Sequence, residues 1–206
     1  MISAKTIRLH RSGQTIAENF TFQLEPGSIQ ALIGPNGCGK STALSAIAGD
    51  MTLFNGEIFY DEQSLRKLSI SDLAKKRAVV QQNQKYLLSF TVRDLLAMAI
   101  KTSGDEKSID EAIDALDIQG LLARKVTSLS GGEQQRVTIA MAFAQASPYL
   151  LLDEPFSAQD VESVARISQH LQTLANRGFG ILLVAHMLER DLAWCDAVTP
   201  FSEALR

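Results

Sequence analysis

The sequence predicts an α/β fold in which helices cover a parallel sheet, an antiparallel β region comes first, and an all-helical segment interrupts the sheet. Short, near-continuous apolar runs at residues 149–153 and 181–185 are typical of strands that a parallel sheet buries on both faces. A glycine-rich loop at residues 34–41 joins a short apolar strand to a helix. The segment 87–146 has helical periodicity throughout.

Composition narrows the possible classes of protein. The chain has 206 residues, of which 46% are hydrophobic and 21% are charged, so it can bury a substantial core without disulfides or structural metals. Its 20 basic and 23 acidic residues give a net charge of −3, and we expect no nucleic-acid partner. Cys38 and Cys195 suggest neither a disulfide framework nor a zinc site. No apolar run approaches the roughly 20 residues that span a bilayer, and no secretory signal is evident, so a cytoplasmic protein is predicted.

The first third of the chain is predicted to be mostly strands. Between residues 4 and 24, apolar residues recur with the period of two that strands have, and polar residues around Gly13 indicate a turn between two antiparallel strands. Residues 29–33 form a buried strand, and a helix follows from about Lys40 to Ala48. Residues 78–82 are a further short strand candidate.

Helices dominate the following part of the chain. Ser108 and Glu111 form a capping-box pattern that predicts the start of one helix. A second helix is predicted from about Gly132, and a third from about Val161 to Ala175, because each places apolar residues along one face.

These elements predict a single domain over residues 1–206. Residues 1–86 and 147–206 should form the β subdomain and the sheet core. Residues 87–146 should form a helical subdomain inserted between the second and third strands of the parallel sheet.

A phosphate-binding motif occupies the turn between the strand at 29–33 and its helix. Residues 34–41 match GxxxxGK[ST] in the strand–loop–helix context that the motif requires. Its glycines let backbone N–H groups converge on phosphate oxygens, Lys40 adds a positive charge, and the Ser41 hydroxyl can bind Mg²⁺. The residues of this predicted site are Gly34, Pro35, Asn36, Gly37, Cys38, Gly39, Lys40, Ser41 and Thr42.

Two adjacent carboxylates follow the apolar strand at residues 149–152. Asp153 and Glu154 lie at its C-terminal end, where open α/β sheets bind ligands. One could hold Mg²⁺ and the other could polarise an attacking water, or both could solvate the strand end. The phosphate motif in the same chain favours the catalytic interpretation.

A second glycine-containing turn precedes the helix at 132. Ser130, Gly131 and Gly132 place a hydroxyl and flexible backbone at a helix N-terminus, which is a suitable anion site. Capping of the helix by Ser130 explains the turn locally. Since one nucleotide rarely needs two such loops from one chain, the turn also predicts a dimer in which it faces the nucleotide of a second copy.

The order of these motifs resembles the ATP-binding cassette of ABC transporters, over nearly the whole chain. In chain order the motifs are GPNGCGKST, Gln82, LSGGEQQR, LLLDEP, SAQD and His186. The resemblance implies a RecA-like P-loop NTPase core, ATP and Mg²⁺ as cofactors, and a head-to-tail dimer that ATP closes and hydrolysis opens.

The resemblance also implies roles for individual residues. Glu154 is the general base, His186 clamps the γ-phosphate, and Lys40 stabilises the transferred phosphoryl group. Gln82 links Mg²⁺ and the attacking water to the membrane partner, and Asp153 supports Mg²⁺ together with Ser41.

Other implied roles concern the interface and the base. Ser130 and Gly132 contact the γ-phosphate of the opposite subunit, and Asp160 lies in an interface loop. The aromatic side chain that stacks on adenine in the family falls near Arg11, where only His10 and Arg11 are available. The interface loop also departs from the family pattern, since a glutamine at position 159 replaces the common leucine.

A finer resemblance covers residues 68–82 and the Phe-Thr-Val at 90–92, which look like importers of iron-siderophore, haem and vitamin B12 type. The Gly-Arg-x-Pro found in many of those relatives is absent. Such importers imply a separate membrane permease, an extracytoplasmic substrate-binding protein, and a peripheral location on the cytoplasmic face of the membrane. An apolar cluster lies where the family docks a helix of its membrane subunit, although each residue could equally pack internally; it comprises Tyr86, Leu87, Leu88 and Phe90.

Three other interpretations are compatible with parts of the sequence. A soluble ABC ATPase without a transport role, such as one of iron–sulfur assembly, shares the motifs. A nucleotide-binding module without catalysis is disfavoured by Glu154 and His186. An exporter subunit is disfavoured only by the importer-like stretch.

Overall fold

The computed structural model describes residues 1–11, 14–53, 55–82, 84, 86–102 and 106–202, apart from the side chain of Arg11. In these ranges two sheets and six α-helices form the α/β fold that the sequence predicts. In chain order the elements are β1 (Ile2–Arg11), β2 (Gln14–Leu24), β3 (Ile29–Ile33), α1 (Lys40–Ala48), β4 (Glu57–Tyr60), β5 (Gln63–Ser64), α2 (Ile70–Lys76), β6 (Arg77–Val80), α3 (Val92–Ala99), α4 (Glu106–Leu116), α5 (Gly131–Ala144), β7 (Tyr149–Asp153), α6 (Val161–Asn176), β8 (Gly180–Ala185) and β9 (Ala197–Pro200). Among the helices described, none is long and apolar enough to cross a membrane.

The larger sheet has five parallel strands in the order β6-β7-β8-β3-β9. Every residue of β7 and β8 is buried, as the continuous apolar runs predict. Alternate residues point to two different cores. Leu150 and Leu152 pack with the helices α5 and α6, whereas Tyr149 and Leu151 pack with α1 and the antiparallel sheet. The period-2 geometry of a strand therefore divides the core into two layers.

The smaller sheet is antiparallel and has the order β2-β1-β4-β5. The predicted pair of N-terminal strands is confirmed, and β4 and β5 are further strands that no sequence pattern predicted. Ile2 lies opposite Leu24 on one side and Tyr60 on the other. The buried Tyr60 hydroxyl donates a hydrogen bond of 2.9 Å to the Ile47 carbonyl oxygen, which ties this sheet to the end of α1.

Register within the parallel sheet brings the predicted site residues to one edge. Ile33 lies opposite Ala185, and Asp153 lies opposite Val184. The segments that follow β3, β7 and β8 therefore leave the sheet side by side at its carboxyl end.

Helices α3, α4 and α5 lie between β6 and β7 in the chain, as predicted for residues 87–146. They share one hydrophobic core with one face of the parallel sheet. The division of the chain into subdomains at residues 87 and 146 stays a prediction.

One predicted helix start is wrong. Helix α4 begins at Glu106, so Ser108 lies inside its first turn and does not cap it with Glu111. Lys107 and Glu111 instead form an ion pair of 3.7 Å one turn apart, which favours helix through residues 106–108. Capping boxes occur at the starts of two other helices, α3 and α5. Helices α2 and α3 and strand β9 were not individually predicted.

A matched pair of glycines tests the packing of the antiparallel sheet. Gly56 has φ +76°, and a Cβ there would lie 2.6 Å from the Thr6 carbonyl oxygen, whereas a Cβ at Gly120 meets open space. We expect Gly56→Ala to lower the free energy of unfolding by more than about 1 kcal/mol. Gly120→Ala should change it by less than about 0.5 kcal/mol. Urea unfolding followed by circular dichroism measures both free energies. Equal stabilities of the two variants would contradict the close packing of Gly56 against the Thr6 carbonyl oxygen.

Candidate active site

A cavity of about 370 Å³ opens at the carboxyl edge of the parallel sheet. It brings together predicted site residues from three separate parts of the chain, and Ile16 of β2 closes one side. Its lining consists of Ile16, Asn36, Gly37, Gly39, Lys40, Ser41, Thr42, Gln82 and Glu154. A larger, more open hollow of about 500 Å³ lies between α4 and α6, and its lining contains no residue of the predicted site.

The phosphate loop, residues 34–41, is shaped by its glycines and by the Lys40 side chain. Gly39 has φ +116°, and a Cβ there would lie 2.2 Å from a methyl carbon of Ile16, so no larger residue fits. The Lys40 ammonium is buried and donates to the carbonyl oxygens of Gly34 at 2.8 Å and Pro35 at 3.0 Å. The loop therefore wraps around a positive charge at the N-terminus of α1. The first N–H groups of a helix have no partner within it and suit an anion.

Gly34, Pro35 and Cys38 shape this loop and are not among the residues that line the cavity. Cys38 is half-buried, and its sulfur lies 3.0 Å from the position that a Cβ on Gly34 would take. The predicted role of these three residues in nucleotide binding stays a prediction.

Ser41 and Asp153 meet beneath the phosphate loop. The Ser41 hydroxyl donates a hydrogen bond of 3.1 Å to Asp153 Oδ1, and Asp153 is only 5% exposed at the end of β7. A hydroxyl and a carboxylate are hard oxygen donors, and Gln82 adds an amide to the lining of the same cavity. This set fits Mg²⁺, which binds through one or two carboxylates together with substrate phosphates. Within the described residues, no group of three or more His, Cys, Asp or Glu side chains could hold a metal ion.

Glu154 lies beside His186 at the mouth of the cavity. Its backbone is left-handed, with φ +52°, and its N–H donates to the Val184 carbonyl oxygen at 2.8 Å. The His186 N–H donates to Glu154 Oε2 at 3.3 Å. Such a backbone costs about 1 kcal/mol or more and persists only where the surroundings enforce it. Here that conformation places a half-buried carboxylate on the cavity wall.

The serine-glycine turn, residues 130–132, caps α5 and is held by a network of polar contacts. Ser130 Oγ accepts from the Glu133 N–H at 3.3 Å, and Glu133 Oε2 accepts from the Ser130 N–H at 2.7 Å. Hydrogen bonds from the Ser130 backbone and side chain to the Glu133 carboxylate, with the nearby Arg124 guanidinium, hold the pKa of Glu133 below its ordinary value. Ser130 and Gly131 are exposed, and no residue of the turn is among those lining the cavity of the same chain.

Asp160 also lies outside this lining and caps α6. Its Oδ1 accepts from the Ser163 N–H at 2.7 Å, and its Oδ2 accepts from the Ser163 hydroxyl at 3.1 Å. These bonds, with a smaller contribution from the Arg136 charge, lower the pKa of Asp160 below its ordinary value.

The predicted adenine contact remains a prediction. The side chain of Arg11 lies outside the described part of the structure. His10 is described, and its Nε2 lies 2.7 Å from the Thr15 hydroxyl. Ile16 was not predicted as a site residue, because alternation within β2 marks it as an apolar strand residue without indicating that the strand packs on Gly39.

Comparisons with known proteins identify the family of this chain. Residues 17–157 match the protein family described as ABC transporter. Hemin import ATP-binding protein HmuV of Hahella chejuensis is 34% identical, over 96% of this chain and 82% of that protein.

Solved structures show the same fold. The ATP-binding subunit of an ABC transporter superposes with a TM-score of 0.88 at 25% identity, over 97% of this chain and 85% of the other. A bacterial ABC transporter cassette solved as a dimer gives a TM-score of 0.82 at 25% identity, over 98% of this chain and 95% of the other. With its phosphate loop, paired carboxylates and serine-glycine turn in these positions, the chain belongs to the ABC transporter family, as one of its ATP-binding cassette ATPases.

Proposed function

We propose that two copies of this chain form a head-to-tail ATPase that drives hemin import through a separate membrane permease. The observation that carries this proposal is the separation of two anion-binding elements within one chain. The phosphate loop and Glu154 share a cavity, whereas the equally well-formed serine-glycine turn is exposed and lines no part of it. A second copy brings the two elements together, and a dimeric structure of a similar cassette supports this arrangement.

Each cavity would bind the triphosphate of ATP. Lys40 and the first N–H groups of α1 supply positive charge at its floor. Ser41 and Asp153, with Gln82 at the cavity wall, are the residues that would hold Mg²⁺. When bound, this ion neutralises charge on the phosphate oxygens.

Hydrolysis then depends on a proton acceptor beside the outer phosphate. Glu154 suits this role, since its carboxylate lines the cavity and accepts a hydrogen bond from the His186 N–H. It would accept a proton from the attacking water, while Lys40 and the turn of the partner copy stabilise charge on the transferred phosphoryl group. His186 is exposed and adjoins Glu154, so its side chain is available to contact the γ-phosphate.

An exposed apolar cluster supports a membrane-embedded partner. Leu87 is 90% exposed, Leu88 is 65% exposed and Phe90 is 36% exposed, all within eight residues of Gln82. Tyr86 instead packs against the core, and its hydroxyl lies 2.8 Å from that of Thr138. We assign the three exposed residues to docking of a permease helix, which would hold the chain at the cytoplasmic face of the membrane. An extracytoplasmic binding protein would deliver the cargo.

Hemin is favoured over iron-siderophore and vitamin B12 because the relative from Hahella chejuensis is named for hemin import. Deleting the coding sequence in its host should abolish growth on hemin as the only iron source and leave growth on inorganic iron unchanged. Restoration by the parent sequence, and not by a Glu154→Gln variant, would tie the phenotype to hydrolysis. Continued growth on hemin with loss of siderophore or vitamin B12 uptake would assign a different cargo.

Replacing the catalytic carboxylate should separate ATP binding from hydrolysis. We expect Glu154→Gln to retain ATP binding and to lower turnover by about 100-fold or more, because the amide cannot accept the proton. Size-exclusion chromatography with ATP should show a stable dimer, and phosphate release measures turnover. The matched control is Glu162→Gln, since Glu162 is an exposed carboxylate on α6. Full turnover by the Glu154 variant would contradict the assignment of the base.

Replacing the exposed leucines should weaken permease binding only. The double variant Leu87→Ser with Leu88→Ser should lower affinity for the permease by at least about tenfold, because each leucine contributes apolar area on docking. ATP hydrolysis by the isolated chain should stay unchanged. Ile70→Ser is the control, since Ile70 is 91% exposed on α2. Co-purification with the permease measures binding, and equal recovery of both variants would place the docking surface elsewhere.

A further inference from the structure

A side-chain hydrogen bond joins the segment after Glu154 to the serine-glycine turn of the same chain. Gln159 lies between β7 and α6, in the segment that follows Glu154. Its partly buried amide donates a hydrogen bond of 3.2 Å from Nε2 to the Gly132 carbonyl oxygen. The bond thus connects the segment carrying the catalytic carboxylate to the serine-glycine turn.

The backbones of the two loops also approach closely at this point. A Cβ on Gly132 would lie 3.0 Å from the Ala158 carbonyl oxygen, which is tighter than ordinary van der Waals contact. The Arg136 charge on α5 also makes a small contribution to the lowered pKa of Asp160, at the end of the segment before α6. The Gln159 bond therefore lies in a built contact between α5 and the segment before α6.

The segment from residue 154 to residue 160, here called the carboxylate loop, is internally constrained. Ser157 N–H donates to the Glu154 carbonyl oxygen at 3.1 Å, and Gln159 N–H donates to that of Phe156 at 3.3 Å. Glu154 and Ala158 both have left-handed backbones, with φ +52° and +58°. Such backbones persist only where the surroundings enforce them. The hydrogen bonds within the carboxylate loop therefore hold its conformation from Glu154 to Gln159.

We propose that Gln159 is a positioning residue for the ATP site of the partner copy. It holds the serine-glycine turn of its own chain against the carboxylate loop of the same chain. In the proposed dimer, that turn contacts the nucleotide bound by the other copy. This inference rests on the head-to-tail dimer of the proposed function. It adds a contact within each chain that holds the turn in place for the ATP site of the other copy.

A mixing experiment separates the two sites. A low concentration of the parent chain is mixed with a large excess of chain carrying Glu154→Gln, so that most of the parent chain is in mixed dimers. Each mixed dimer has one hydrolysing site, built from the phosphate loop and Glu154 of the parent and the turn of the excess chain. Phosphate release then reports on that site, and Gln159→Leu can be placed in either chain.

Placed in the excess chain, Gln159→Leu should lower the rate at saturation by roughly two- to tenfold, the range expected for loss of one net hydrogen bond. Gln159→Glu there should lower it further, because a carboxylate would face the Gly132 carbonyl oxygen. ATP binding by a single copy should not change, since Gln159 is not among the residues that line the cavity. A purely structural role would not produce this dependence on which chain carries the substitution.

The control substitution is Gln169→Leu in the excess chain. Gln169 is exposed on α6, about 14 Å along the helix from Asp160, and its replacement should leave the rate unchanged. An unchanged rate with Gln159→Leu in the excess chain, or a loss only when it is in the parent chain, would overturn the inference. Failure of the dimer itself is distinguishable, because the parent chain would then gain no activity from the excess chain.

Discussion

The parallel register of β3, β7 and β8 is the constraint on which the site depends. It places the phosphate loop, the Asp153-Glu154 pair and His186 at one edge of one sheet. Burial of both faces fixes that register, because a slip by one residue would exchange the side chains of the two hydrophobic cores. The packing of the two cores therefore also fixes the arrangement of the candidate site residues.

Contacts of the phosphate loop complete the site that the sheet register positions. Lys40 is buried and donates to two loop carbonyl oxygens, which fixes the position of its charge within the loop. Gly39 permits Ile16 to close over the loop, which connects the antiparallel sheet to the binding cavity. Such preorganisation lowers the cost of ordering a triphosphate.

Much of the site could be predicted from sequence because its motifs lie at strand ends and helix starts. Lys40, Ser41, Asp153 and Glu154 follow directly from apolar strands and a glycine-rich loop, and the structure brings them together. Contacts across sheets were not predictable, because no pattern within β2 shows that Ile16 meets Gly39.

Local sequence patterns failed to predict several other elements of the fold. The predicted start of α4 is wrong because Ser108 and Glu111 have the spacing of a capping box but lie within the helix. Strands β4, β5 and β9 have only two to four residues each, too few for a periodic signal.

In the proposed dimer, the exposed serine-glycine turn of one copy completes the ATP site of the other, so catalysis should require pairing. The most direct measurement is the rate of ATP hydrolysis by the isolated parent chain as a function of its concentration. At concentrations below dimerisation, the account predicts that the total rate rises with the square of the chain concentration and becomes linear when pairing is complete. A rate that is proportional to concentration throughout, from a chain shown to be unpaired, would contradict the account.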